Sequence, residues 1–456
     1  MTMIYRRVHF IEDGADWIAY YCDSMEYRLL LPGEKHCMDS ILRGVTEADF
    51  YTGNEQKDRT LYRRCREELI DYGTNAEELP EEGLQLNLNT ANACNMNCGY
   101  CYANGGVYHS REQLMSMEVA QRALDLFADH YGAINRIKFI GGEPLLNQNV
   151  VCSVCDYVRK KVDRGEMPAM PEFSIVTNGT ILNDRLIQYS KEYHWHVGVS
   201  FDGPAEIHDK VRPWQNGRGT SKIIQDNIRE WREATGEKCP SSINACYSGV
   251  HESSGVTVVE AVAYMKDILG IEKVNIVPVD PCRDTGYALE DDAGCFLSAM
   301  EEIFDETSRD YKKYCFVKLN NLEKVLRQHL SMRHHICEAG LHTFGISASG
   351  VISPCHMLTD KEGIRMGSVF DLDPWNSEAF RKVQDRLTRF DRFSCEPCSQ
   401  CYANRLCFGC LGANLFRTGN PYVTDPSICR MIRGALDILV RDIVHQNYRK
   451  LGGYAD

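Results

Sequence analysis

The 456-residue sequence predicts an α/β protein built on a partial (β/α)6 TIM-like barrel, preceded by a small β-rich module and followed by a cysteine-dense region. Three observations lead there. From Leu84 the chain alternates apolar, strand-like runs with helical stretches. Before Leu84 lie three short strand-like runs separated by turn dipeptides. Beyond about residue 320 the alternation stops and cysteines cluster.

Residues 1–80 read as a separate module. Apolar-rich runs at 4–10, 17–22 and 26–31 are split by Asp13-Gly14 and Asp23-Ser24, which predicts a three-stranded meander. Helices should follow over 34–42 and 59–72. The second carries Leu61, Cys65 and Leu69 on one face and would end at Gly73. A polar stretch, 74–83, reads as a linker. Six strands are then expected over 84–88, 136–140, 173–177, 196–200, 242–247 and 273–277, with helices such as 117–131 and 256–269 between them. Six βα units over 84–320 make a parallel sheet whose chemistry belongs at the C-terminal strand ends. A third region, 325–446, holds the later cysteines and a closing helix over 431–446.

Composition narrows the function. With 43% apolar and 25% charged residues the chain can bury real cores, and its net charge of −13 argues against tracking nucleic-acid phosphates. No run of 18 apolar residues predicts a membrane span, and MTMIYRRVHF lacks the apolar stretch of a secretory signal, so a cytoplasmic protein is expected. Cysteine is the outlier. The 21 cysteines, an odd number, cluster at ligand-like spacings, which in a cytoplasmic protein reads as metal binding.

The strongest motif is Cys94-Asn-Met-Asn-Cys98-Gly-Tyr-Cys101, shortly after the first barrel strand. Three thiolates in one short loop can ligate three irons of a cubane and leave the fourth open. Zinc prefers four closed ligands, which this spacing fits poorly. Further motifs fall at the next strand ends: Gly141-Gly142-Glu143-Pro144, Thr177-Asn178-Gly179, and Ser200-Phe201-Asp202-Gly203-Pro204 running on to Arg212-Pro213. Glycines let backbone approach a ligand, and a carboxylate pairs with an ammonium.

Together these motifs resemble the radical S-adenosylmethionine (SAM) superfamily, with Tyr100 as the aromatic before the last cysteine. The resemblance implies a SAM-cleaving [4Fe–4S] cluster on Cys94, Cys98 and Cys101. It implies that Gly141, Gly142 and Glu143 hold the SAM amino group. Ser200 and Asn178 would lie near its ribose and methionyl part, and Arg212 would meet its carboxylate.

The C-terminal pattern, Cys337, Cys355, Cys398-x₂-Cys401-x₅-Cys407-x₂-Cys410 and Cys429, resembles the SPASM extension of peptide-modifying members. By that resemblance Cys398, Cys401, Cys407 and Cys429 hold an outer auxiliary [4Fe–4S] cluster, and Cys337, Cys355 and Cys410 an inner one, making three clusters in all. The fourth inner ligand is left open between Cys395, Cys315 and a substrate thiolate. Zinc-ribbon spacing is the competing reading of this region. Residues 1–80 resemble the PqqD-like winged-helix module that binds the leader of a ribosomally made precursor peptide.

The implied activity is cysteine thioether crosslinking of such a precursor, as in sactipeptide and ranthipeptide maturases, with a flavodoxin- or ferredoxin-type electron donor. Formylglycine formation as in anaerobic sulfatase-maturating enzymes, carbon–carbon crosslinking and epimerisation are the alternatives. Asp280, just after the sixth strand, is a candidate base; Cys152-x₂-Cys155 reads as buried free cysteines and His334-His335 as a surface pair.

Overall fold

The computed structural model describes residues 5–70, 73, 75–108, 110–279, 286–305 and 311–450. Asp280 lies outside them.

The N-terminal strands β1 (Val8–Asp13), β2 (Asp16–Tyr21) and β3 (Glu26–Leu29) form an antiparallel meander turning at Gly14, whose φ of 61° suits a residue without a Cβ. β1 is shifted toward its turn relative to the expected 4–10, because Ile11 pairs with the buried Ile18. Helices α1 (Glu34–Leu42) and α2 (Glu55–Leu69) pack on one face through Met38, Ile41, Tyr62, Cys65 and Leu69. α2 starts four residues before the expected 59 because the Asn54 side chain accepts from the Lys57 N–H. It stops short of Gly73 because Ile70 turns extended and bridges Tyr5. The module sits on the C-terminal region: Arg7 donates to the Ser399 carbonyl at 2.8 Å, and His9 stacks on Tyr402 with centroids 3.6 Å apart.

The barrel follows as β4 (Gln85–Asn92), α3 (Met117–Tyr131), β5 (Arg136–Gly141), α4 (Gln148–Asp163), β6 (Glu172–Thr177) and α5 (Asp184–Glu192). It continues with β7 (His196–Ser200), α6 (Ala205–Val211), α7 (Ser221–Thr235), β8 (Ser242–Tyr247), α8 (Val258–Leu269) and β9 (Val274–Pro278). The six strands are parallel in the order β9-β8-β7-β6-β5-β4. Alternation along them explains the sequence pattern. Leu86, Ile137, Phe139, Phe173, Ile175, Val197 and Ile243 are buried in the core shared with the helices. Asn87, Lys138, Ser174, Ser200 and Asn244 take the opposite phase and line the lumen. Cys152 and Cys155 on α4 are fully buried.

The sheet does not stop at six strands. After α9 (Asp292–Phe304) and α10 (Val317–Arg327), strand β10 (Thr343–Ile346) adds parallel to β4, and β11 (Val351–Ser353) and β12 (Gly367–Ser368) continue antiparallel. The cysteine-rich region therefore supplies part of the barrel wall. Helices α11 (Glu378–Arg389), α12 (Leu411–Thr418) and α13 (Pro426–Lys450) complete it, α13 packing against α9. No described helix is long and apolar enough to cross a membrane.

At the new wall the chain folds tightly over Gly345. A Cβ there would lie 2.7 Å from the Cys355 carbonyl carbon and 3.0 Å from the His356 nitrogen. Gly345→Ala is expected to lower stability by about 1–3 kcal/mol, as overpacking against backbone does, measured by denaturant unfolding under anaerobic conditions.

Candidate functional site at the barrel mouth

The site is built where β4 runs into the cysteine loop. The Gly142 N–H donates to the Ala91 carbonyl and the Glu143 N–H to the Ala93 carbonyl, both at 2.8 Å, so the end of β5 lies flat beneath that loop. A Cβ on Gly142 would sit 2.3 Å from the Ala93 oxygen, and one on Gly106 would sit 2.6 Å from the Gly142 Cα. The glycines are thus required by backbone packing against the cysteine loop.

Glu143 is fully buried, and its carboxylate accepts from the Leu145 N–H at 3.0 Å, Thr177 Oγ1 at 2.7 Å and the Asn178 N–H at 2.7 Å. It braces the ends of β5 and β6. Burial pushes its carboxyl up to about 7, against the pull of these three donors. Asn178, which Glu143 holds, donates to Asn95 Oδ1 at 2.7 Å and reaches Cys94 Sγ at 3.9 Å. The loop is tied from the other side by Gln215 Nε2 on the Cys94 carbonyl at 2.8 Å and by the Asn97 N–H on the Pro213 carbonyl at 2.9 Å.

Asp202 is a motif residue to which sequence reasoning gave no role of its own. Fully buried, it accepts from Arg212 Nε at 2.7 Å, the Cys246 N–H at 2.9 Å and the Tyr100 hydroxyl. The Asp202 backbone is held by two buried histidines: its N–H donates to His208 Nδ1 at 3.2 Å, and its carbonyl meets His251 Nε2 at 2.7 Å. Burial pushes the Asp202 carboxyl up, but the Arg212 guanidinium outweighs this and holds it below the usual range. Arg212 is therefore paired within the protein and lies 5.4 Å from the Tyr100 ring centroid, which fixes the aromatic beside Cys101. The Ser-Phe-Asp-Gly-Pro spacing was the available signal for Asp202. Ser200 stands half-buried on the lumen face beside Asn244.

The cysteines fall into three electrostatic groups. Burial, reinforced by Glu143 and then Cys101, pushes Cys94 up to about 11, and burial with Cys101 and Cys94, against the Arg212 charge, takes Cys98 to about 12. Three half-buried thiols in one short loop match the ligand number of a cubane with one open iron, while among the described residues no three such side chains already stand together as a metal site. Cys337, Cys355 and Cys410 influence one another in the same way. So do Cys398, Cys401, Cys407 and Cys429. Cys395 stands apart, its thiol donating to the Arg389 carbonyl at 3.0 Å, and Cys315 is packed in the main core. The buried Arg392 joins the segments carrying these groups, with its guanidinium on the carbonyls of His335, Ile336, Asn404 and Cys407. No spacing rule marked it.

Comparison with known proteins agrees with this arrangement. The profile of the Radical SAM superfamily matches residues 88–247, and that of SPASM, an iron-sulfur cluster-binding domain, matches residues 337–402. The chain carries a radical SAM domain and a SPASM domain. The radical SAM cyclopropyl synthase TigE of Paramaledivibacter caminithermalis is 30% identical over 185 residues, 38% of this chain and 37% of that protein. A serine-type anaerobic sulfatase-maturating enzyme of Bacteroides thetaiotaomicron is 32% identical over 140 residues, 30% of this chain and 33% of that protein. The chain thus spans about a third of the length of these relatives. Among solved structures, native anSMEcpe with bound AdoMet shares the fold with a TM-score of 0.65 at 18% identity, covering 80% of this chain and 99% of that one. Streptococcus suis SuiB bound to precursor peptide SuiA has a TM-score of 0.50 at 14% identity, covering 94% and 100%.

Two substitutions test the framework around the radical SAM domain. Glu143→Gln sets an amide N–H against the Asn178 N–H and should cost about 1–3 kcal/mol at pH 8. Because the native carboxyl holds its proton up to about 7, against 4.5 for an ordinary glutamate, the wild type gains stability as pH falls through 7, and the gap to Glu143→Gln widens between pH 8 and 6. Thermal melts at both pH values check this. Arg392→Ala leaves four carbonyls without their donor and should cost at least about 3 kcal/mol. Arg392→Lys should recover part of the loss, with iron content and proteolytic resistance of the C-terminal region as the readout.

Proposed function

We propose that this chain is a radical SAM enzyme that modifies a peptide held in the barrel lumen. The observation that carries this reading is a polar lumen with a group of three thiols at each end. The Cys94 loop tops β4, while the Cys355–His356 segment packs on Gly345, in register with Asn87 near the start of β4. Six residues of strand separate the two levels, roughly 20 Å at about 3.3 Å per residue. That length accommodates a peptide segment between them.

In this reading Cys94, Cys98 and Cys101 would hold a [4Fe–4S] cluster, whose chemistry when bound would be one-electron reductive cleavage of SAM to methionine and a 5′-deoxyadenosyl radical. Cys337, Cys355 and Cys410 hold the inner auxiliary cluster, and Cys398, Cys401, Cys407 and Cys429 the outer one, giving three in total. A flavodoxin- or ferredoxin-type protein serves as donor. The chain's own residues fix the geometry: Glu143 and Asn178 anchor the loop from β5 and β6, Asp202 and Arg212 hold Tyr100 from β7 and α6, and Ser200 faces the bound SAM. Residues 1–80 act as the leader-binding module, a peptide strand adding to the edge of the three-stranded sheet.

Thioether formation between a substrate cysteine and a carbon of the same peptide is the first reading of the reaction. Two groups of auxiliary thiols fit it, because they offer a route for the surplus electron. The second reading is oxidation of a substrate cysteine or serine to formylglycine, favoured by the similarity to sulfatase-maturating enzymes.

One anaerobic experiment separates them. The reconstituted protein is incubated with SAM, reductant and cysteine-containing peptides encoded beside its gene, and the products are read by tandem mass spectrometry. Loss of two hydrogens with cysteines resistant to alkylation is expected for the first reading, and a new hydrazide-reactive carbonyl for the second. Absence of 5′-deoxyadenosine from every reaction would defeat both. Cys94→Ala should abolish 5′-deoxyadenosine formation.

A further inference from the structure

Helix α11 carries a charge opposite to that of the whole chain. It holds four cations, Arg381, Lys382, Arg386 and Arg389, against two carboxylates, Glu378 and Asp385, in a protein of net charge −13. Its buried stripe is Phe380, Val383 and Leu387. Away from that stripe, Lys382, Arg386 and Arg389 recur at i, i+4 and i+7, so they share one face, and all three are exposed. Like charges three and four residues apart weaken a helix. Among the described residues none of the three forms an ion pair that would offset this, and Asp385 beside them forms none either.

This face borders the outer group of thiols. At the end of α11 the Arg389 carbonyl accepts from the Cys395 thiol at 3.0 Å, three residues before Cys398. Arg386 lies over the Tyr422 ring at 5.6 Å, and Phe390 meets the same ring edge-on at 5.8 Å. From Tyr422 the chain runs through the exposed Val423 to Thr424, whose side chain is hydrogen-bonded to the Cys429 thiol. Phe390, Tyr422 and Val423 thus make an apolar surface edged by the three cations and one residue from a partner of Cys429. Elsewhere on the same group, Ser399 and Tyr402 are covered by Arg7 and His9 of the N-terminal module, so that side is occupied.

We infer that this patch is the docking surface of an acidic one-electron carrier protein. The inference rests on the radical SAM reading above and adds the place where the flavodoxin- or ferredoxin-type partner seats. That reading moves electrons singly, so the partner is a one-electron carrier. Encounters between redox proteins use small interfaces, which suits an apolar patch with a charged edge. The cationic face attracts an acidic protein that the rest of this acidic chain repels, so charge also sets the orientation of approach. A partner seated there faces Cys429 through Tyr422 and Thr424.

The test uses the anaerobic reconstituted holoprotein. The probes are a purified flavodoxin, a purified [4Fe–4S] ferredoxin and, as a plain polyanion, a single-stranded DNA oligonucleotide. Binding is followed by isothermal calorimetry at low and at physiological salt. At least one carrier should bind wild type with an affinity that falls steeply as salt is raised. The triple reversal Lys382→Glu, Arg386→Glu and Arg389→Glu should weaken binding at least about 30-fold. Lys382→Arg with Arg386→Lys should retain it, and Val423→Asp should weaken it about 10-fold by placing a charge in the apolar part.

Iron content, thermal melts and 5′-deoxyadenosine formation driven by dithionite should match wild type in every variant, which separates docking from folding and from SAM cleavage. Wild type that binds neither carrier, or a triple reversal that binds as well as wild type, would overturn the inference and leave the radical SAM reading standing. An oligonucleotide that displaces the carrier with equal sensitivity to the reversal would make the patch a general polyanion surface and overturn the inference as well. Absence of 5′-deoxyadenosine with dithionite would defeat the radical SAM reading, whatever the carriers do.

Discussion

The close approach of two backbones at the barrel mouth is the constraint on which the rest of the site depends. With Gly142 under Ala93, the end of β5 and the cysteine loop share hydrogen bonds at 2.8 Å and leave no space for a Cβ. That contact sets the height of the loop above the lumen. Two buried carboxylates then hand the same positioning around the barrel: Glu143 links β5 to β6 and Asn178, while Asp202 links β7 to β8, α6 and Tyr100. Burying a carboxylate is costly unless it is well paired. Each of these has three donors that also hold the loop; with the Arg212 charge they outweigh burial at Asp202, whereas burial still prevails at Glu143. A site that must place three thiols around one cofactor gains from such rigid support.

A second constraint is the alternation of the barrel strands. Their outward residues are apolar and bury under helices, as in any parallel sheet covered on that face. Their inward residues are largely Asn, Ser and Lys, which a closed hydrophobic barrel would not tolerate. The lumen is thus a polar space bounded by β10 and the Cys355–His356 segment from the C-terminal region. The cysteine-rich region is continuous with the barrel, and its hold on the N-terminal module through Ser399, Tyr402 and Asp437 ties all parts of the chain together.

Local chemistry made much of this legible. The Cys94, Cys98 and Cys101 spacing, the glycine pair after β5 and the strand alternation could be read without coordinates, because each depends on residues within one strand and its following loop. The grouping of Cys337, Cys355 and Cys410 apart from Cys398, Cys401, Cys407 and Cys429 came only from the resemblance to the SPASM extension. Residues whose partners lie far along the chain escaped. Asp202 meets Tyr100 across 102 positions, and Arg392 serves carbonyls 56 and 57 positions away. The start of α2 at Glu55 was missed because the Asn54 cap was overlooked, and its end because Ile70 is drawn to Tyr5.

Taken alone, the sequence determined the kind of barrel and the run of its strands along the chain, since these are carried by period-2 alternation and by turn signals within short loops. Tertiary structure alone decided what the polar side chains do. It set Glu143 as a brace between β5 and β6, paired Arg212 with Asp202 and added β10 to the sheet. The physical reason is that a charge takes its role from whatever lies within a few ångströms of it, and those neighbours come from segments that only folding brings together.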